Sequence, residues 1–168
     1  IKKHMQKKSE ITDINGTKKD IACLSCAIVN RNVTPPGALP VSDFFDAHQD
    51  YEVPIPGFII LASKRHIQSV DEFTKEEQQD FIQFLSRLRK AMRESLGIEK
   101  VELIQDEDTR HHFHMWLFPR YDWMEEKFGR KIESIRPAMK YAQENMKTEE
   151  NLATIKESVQ KLKTFLEQ

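Results

Sequence analysis

The chain has 168 residues, 39% hydrophobic and 32% charged, with 26 Lys and Arg against 27 Asp and Glu for a net charge of −1. That size and composition predict one domain of mixed class, and the balance of charge argues against bulk electrostatic attachment to nucleic acid or a membrane, so an anionic ligand would need a local site. No apolar run approaches membrane-spanning length and no secretory signal is visible, so the sequence reads as cytoplasmic.

Residues 1–20 form a polar leader, of which Ile1 to Lys8 are set aside from fold reasoning. Two cysteines follow, Cys23 and Cys26, spaced as Cys-Leu-Ser-Cys. In a cytosolic chain this spacing marks a dithiol redox centre or half of a zinc site. A thioredoxin-type dithiol wants a strand before it, and no strong strand pattern precedes Cys23. Zinc is favoured if two further ligands come from among His48, His66, His111, His112 and His114.

Residues 21–30 read as a short helix or turn that Thr34-Pro35-Pro36-Gly37 breaks. Residues 39–51 alternate weakly and end in His48-Gln49-Asp50, and Pro54-Ile55-Pro56-Gly57 marks a turn. Phe58 to Ser63 is short, branched and apolar, which predicts a buried strand. Thr74-Lys75-Glu76-Glu77 is a capping-box pattern, after which Phe81, Phe84, Leu85, Leu88 and Met92 repeat at helical spacing until Gly97. Val101 to Ile104 reads as another strand, followed by a polar loop from Gln105 to Arg110.

The next strand, His112 to Pro119, places His112, His114 and Trp116 on one face and Phe113, Met115 and Leu117 on the other. Imidazoles on a strand anchored by an apolar face suit nucleophilic or metal chemistry near neutral pH. On these residues alone, a half-exposed strand rich in histidine accounts for the pattern equally well. Beyond Tyr121 the chain turns charged and helical, with one stripe of Ile132, Ile135, Met139 and Ala142. A second, Leu152, Ile155, Val159, Leu162 and Leu166, has heptad spacing and suits packing on the domain or on a partner helix. The expected architecture is α+β: an antiparallel sheet under one long helix over residues 21–125, with a helical C-terminal extension over 126–168.

Three blocks in this order carry a resemblance: Cys23-Leu24-Ser25-Cys26, then Pro56 to Ile67 with its Lys64-Arg65-His66 ending, then His112 to Arg120. Over residues 21–121 the chain resembles the histidine-triad (HIT) superfamily, which includes nucleotide-binding hydrolases, dinucleoside polyphosphate hydrolases and, more distantly, galactose-1-phosphate uridylyltransferase. It departs at Trp116, where most members carry the third histidine and the transferase branch glutamine. Trp keeps an indole N–H donor but accepts no proton. It departs again at Glu107-Asp108-Thr109, where the usual Gly-Gln is acidic and the hydroxyl remains.

The resemblance implies a nucleotide hydrolase or nucleotidyltransferase, with a dinucleoside polyphosphate or nucleoside phosphoramidate as substrate. His114 matches the nucleophile, forming a nucleotidyl-histidine from the α-phosphate. Thr109 and the Trp116 indole would donate to phosphate oxygens, while Arg110 or Arg120 would neutralise phosphate charge. Asp50 matches the acidic residue for the ribose hydroxyls, its alternative being a turn cap. Cys23, Cys26, His66 and His112 match a closed Cys₂His₂ zinc site of structural role. His111 is then an exposed residue and His48 has no fixed role. A homodimer is implied, pairing long helices and extending the sheet. The alternative raised by Trp116 is a nucleotide-binding module with structural zinc and weak or no turnover, and a redox dithiol comes third.

Overall fold

The computed structural model describes residues 9–12, 18–21, 23–30, 32–33, 35–107 and 112–168, the first two segments as backbone alone. The leader contributes an antiparallel pair, β1 (Ser9–Thr12) and β2 (Lys18–Ile21). Reading residues 1–20 only as a polar segment omits this pair. The Asn15-Gly16 dipeptide between the two strands is a recognised hairpin signal and was the clue in the sequence.

The main sheet has four antiparallel strands in the order β3 (Phe45–Gln49), β4 (Ile59–Ser63), β6 (His114–Pro119), β5 (Val101–Gln105). Its two faces are covered differently. Phe45, Ala47, Ile59, Leu61, Phe113 and Leu117 join a core with Phe84, Leu88 and Met92 of α2 (Lys75–Leu96). Phe58 and Phe118 join a second core with Met124 of α3 (Asp122–Phe128) and with Ile135, Ala138 and Ala142 of α4 (Ile135–Asn145). The period-2 alternation of β6 sorts its residues between these surfaces as the pattern predicts.

Helix α2 begins at a capping box in which the Thr74 hydroxyl accepts from Glu77 N and the Glu77 carboxylate accepts from Thr74 N. It ends at Gly97, whose φ of +67° is a left-handed conformation that glycine adopts without a Cβ penalty. The second apolar stripe becomes α5 (Glu149–Leu166), whose Ile155, Val159, Leu162 and Leu166 are buried in the α2 core. The heptad spacing therefore serves packing within the chain. Among the described residues, no helix is long and apolar enough to cross a membrane.

Candidate active site and metal centre

The short helix α1 (Leu24–Val29) starts at Cys23, whose Sγ faces Cys26 N at 3.5 Å. Cys26 Sγ lies 3.1 Å from His66 Nδ1 and 3.3 Å from His112 Nδ1, and Cys23 Sγ lies 3.5 Å from His112 Nδ1. All four donor atoms fall within 4.8 Å of one another, the one such cluster found among the described residues. Tetrahedral zinc with Zn–S near 2.3 Å and Zn–N near 2.1 Å implies donor–donor edges of about 3.4–3.8 Å, so the four residues fit a metal ion with little movement.

Two features favour a cation over a dithiol. Without metal, burial pushes the Cys26 thiol up to about 11, with the neighbouring Cys23 adding to the rise. A thiol held protonated at neutral pH is a poor redox nucleophile, and a metal ion reverses that preference by stabilising the thiolate. The second feature is the His112 ring, which is buried and whose pKa burial pushes down, favouring neutral imidazole. Its Nε2 hydrogen-bonds the Ser63 carbonyl. A carbonyl can only accept, so the proton sits on Nε2 and the Nδ1 lone pair faces the cysteines, a usual outer support for a metal-binding histidine.

The loop bearing His66 is clamped from outside. Arg65 donates to both carboxylate oxygens of Glu77, at 2.9 and 2.8 Å, and to the Glu72 carbonyl at 2.7 Å. The acid that caps α2 thus also holds the metal loop, a fork-to-fork contact of the strong class.

His114 opens β6, and its Nδ1 lies 3.0 Å from the His112 carbonyl oxygen. By the same donor logic Nδ1 carries the proton and Nε2 keeps its lone pair. The ring is half-buried, with the Trp116 ring 6.4 Å away and Trp116 edge-on to Phe58 at 5.9 Å. The register aligns His48 of β3 with Ile60 and Ile60 with Trp116, while Ala62 aligns with His114. Strand alternation therefore brings His48 to the His114 face, one rung along and two strands across.

Sequence reasoning left His48 without a role, because its position depends on strand order. Burial first, and the His114 imidazole second, push its pKa from 6.5 down to about 4. Between those values the unfolded chain binds a proton that the folded chain refuses, so stability rises with pH. The loss on acidification is expected to begin near pH 6.5 and to reach about 3 kcal/mol by pH 4. Urea unfolding of wild type and His48→Asn across that window checks this: the variant is expected to lose less stability, and parallel curves would refute it.

Asp50 follows β3, and its Oδ1 accepts from Glu52 N at 2.8 Å and Val53 N at 3.4 Å, the geometry of a turn cap. Burial nevertheless leads a rise in its pKa. Arg120 is buried, donating to Ser134 Oγ at 2.8 Å and to the Gly129 carbonyl at 2.9 Å, so its guanidinium ties the α3–α4 connection to the sheet. Thr109, Arg110 and His111 lie outside the described residues. A residue that sequence reasoning missed is Arg136 of α4, whose guanidinium carbon stands 4.9 Å from the centre of the Trp116 ring.

No family model matches this chain, and no curated protein matches it. Solved structures do. A HIT family member from Bacillus subtilis aligns with a TM-score of 0.56 at 21% identity, over 83% of this chain and 95% of that one. A HIT family protein from Bacillus anthracis gives 0.55 at 21%, over 82% and 94%. A zinc-bound histidine triad family protein from Mycobacterium smegmatis gives 0.52 at 19%, over 81% and 96%. With its four-stranded antiparallel sheet, one long helix and C-terminal helices, this chain has the α+β fold of HIT family structures.

Proposed function

We propose that the protein is a nucleotidyl hydrolase or transferase, acting on a dinucleoside polyphosphate or a related nucleotide conjugate through His114. The observation that carries this reading is the hydrogen bond from His114 Nδ1 to the His112 carbonyl, which fixes the ring and puts the lone pair of its neutral form on Nε2. Nε2 attacks the α-phosphorus, the P–O bond to the leaving phosphate breaks, and its electron pair departs on that oxygen. Water then attacks the same phosphorus, the P–N bond breaks, and the released nucleotide leaves His114 neutral. Thr109 and the Trp116 indole are assigned as donors to the phosphate oxygens, and Asp50 Oδ2 as acceptor for the ribose hydroxyls. Arg120 is assigned to the fold through its contacts to Ser134 and Gly129.

The Cys23, Cys26, His66 and His112 set is proposed to hold zinc. Zinc would keep the thiolates charged and bind α1, the His66 loop and the start of β6 together. With four protein ligands it would leave no position for substrate. The fold shared with a zinc-bound histidine triad protein supports both assignments.

The test is to trap the intermediate. Protein mixed with diadenosine tetraphosphate and quenched in alkali is expected to gain the mass of one adenylyl group, lost on acid treatment and absent from His114→Ala. Tight nucleotide binding with no adduct and no mononucleotide release would select the binding module instead. A homodimer extends the proposal: β5 is one of the two edge strands of the sheet and its Leu103 is 49% exposed, an edge that a second copy can continue. Sedimentation velocity at micromolar concentration is expected to show a dimer, and a monomer would remove that part.

A further inference from the structure

Trp116 brings bulk and one N–H donor to a position beside the nucleophile, but no charge. The charge stands directly over it. Arg136, in the first turn of α4, places its guanidinium carbon 4.9 Å from the Trp116 ring centre while its side chain stays 71% exposed. Among the described residues it pairs with Asp106, just past β5, at 4.0 Å and itself 60% exposed, a loose contact that a phosphate can displace.

The placement runs against helix electrostatics. A cation at a helix N-terminus opposes the macrodipole, and the first turn of α4 contains no acidic residue to offset it. The backbone around Arg136 is nevertheless firmly set, because Ile135, Ala138 and Ala142 of the same helix are buried under the sheet. A guanidinium presented on a rigid element, close to an indole ring and largely exposed to solvent, is an arrangement that receives oxyanions well.

We propose that Arg136 binds the phosphate groups of the ligand that lie beyond the α-phosphate, so that the site selects substrates with a charged polyphosphate leaving group. The proposal rests on His114 as nucleotidyl acceptor. Trp116 neighbours both, its ring 6.4 Å from the His114 ring and 4.9 Å from the Arg136 guanidinium carbon. A phosphate chain that starts at the α-phosphate on His114 and runs past the Trp116 ring would meet the guanidinium.

The experiment compares two substrates on the full chain: diadenosine tetraphosphate, with phosphates beyond the α position, and adenosine 5′-phosphoramidate, with none. Arg136→Gln is expected to lose about ten- to hundredfold in kcat/KM on the tetraphosphate. On the phosphoramidate it should stay within about twofold, and Arg136→Lys should recover part of the loss. An equal loss on both substrates would make Arg136 a support of α4, and no loss on either would exclude it from the site; both outcomes overturn the proposal. If wild type binds nucleotides without turnover, the same comparison is made on ADP and AMP affinity, where an unchanged ratio overturns it. Wild type that neither binds nor turns over any of the four compounds removes the His114 reading as well, which distinguishes that failure from one confined to Arg136.

Discussion

Replacing His114 by alanine is expected to lower mononucleotide release from diadenosine tetraphosphate by about 10⁴-fold or more, the scale seen when the nucleophile of a covalent mechanism is removed. The reason lies in how little else on the sheet face can substitute. His112 presents its Nδ1 to the cysteines and its Nε2 to the Ser63 carbonyl, so neither nitrogen is free. His48 is half-buried on the same sheet face and held neutral, yet it sits on β3, with β4 between it and β6. The His114 ring is half-buried and its hydrogen bond goes to a main-chain carbonyl, so the variant should keep the fold with a stability change of about 1 kcal/mol. Kinetics and a thermal melt on the same preparation check both halves. A rate within tenfold of wild type, from a protein that melts normally, would end the nucleophile assignment.

Chelation should produce the largest change in stability. If zinc is bound at about a thousandfold excess over its Kd, it contributes about 4 kcal/mol to the folded state. For a chain of this length that corresponds to a fall in Tm of about 8–16 °C on removal. Cys26→Ser should lose the metal without chelator and melt near the stripped wild type, because Cys26 Sγ approaches both histidine ligands. Affinity should weaken as pH falls, since the thiols must shed protons to bind and a protonated imidazole offers no lone pair. Elemental analysis for one zinc per chain and melts with and without chelator decide the matter. Metal-free purified protein with an unmoved Tm would sink the assignment.

The parts of the fold legible in the sequence are those decided over a few consecutive residues. The Thr74 capping box, the apolar spacing from Phe81 to Met92 and Gly97 announce α2 because helix caps and periodicity are local. The alternation from Phe113 to Leu117 announces which residues of β6 share a face for the same reason. The four cysteine and histidine residues proposed as ligands could be named in advance because each sits in a short block that resembles a known pattern, and the structure brings their donor atoms together. His48 and Arg136 could not be found this way. Their places depend on β3 lying beside β4 rather than β6, and on α4 folding back over Trp116, which are long-range outcomes of packing. The bonds of Arg120 to Ser134 and Gly129 are likewise long-range, since its place one residue past β6 gives no sign of its contact with the α3–α4 connection.

One residue, His112, serves two neighbours by separate chemical routes. Its imidazole belongs to the ligand cluster, while its peptide oxygen sets the tautomer of the ring two positions later. Every amino acid brings that oxygen, whatever its side chain. A single codon change at this position would therefore remove a donor from the proposed zinc site while leaving the oxygen that orients His114, so the two proposed roles are open to separate evolutionary histories in this architecture.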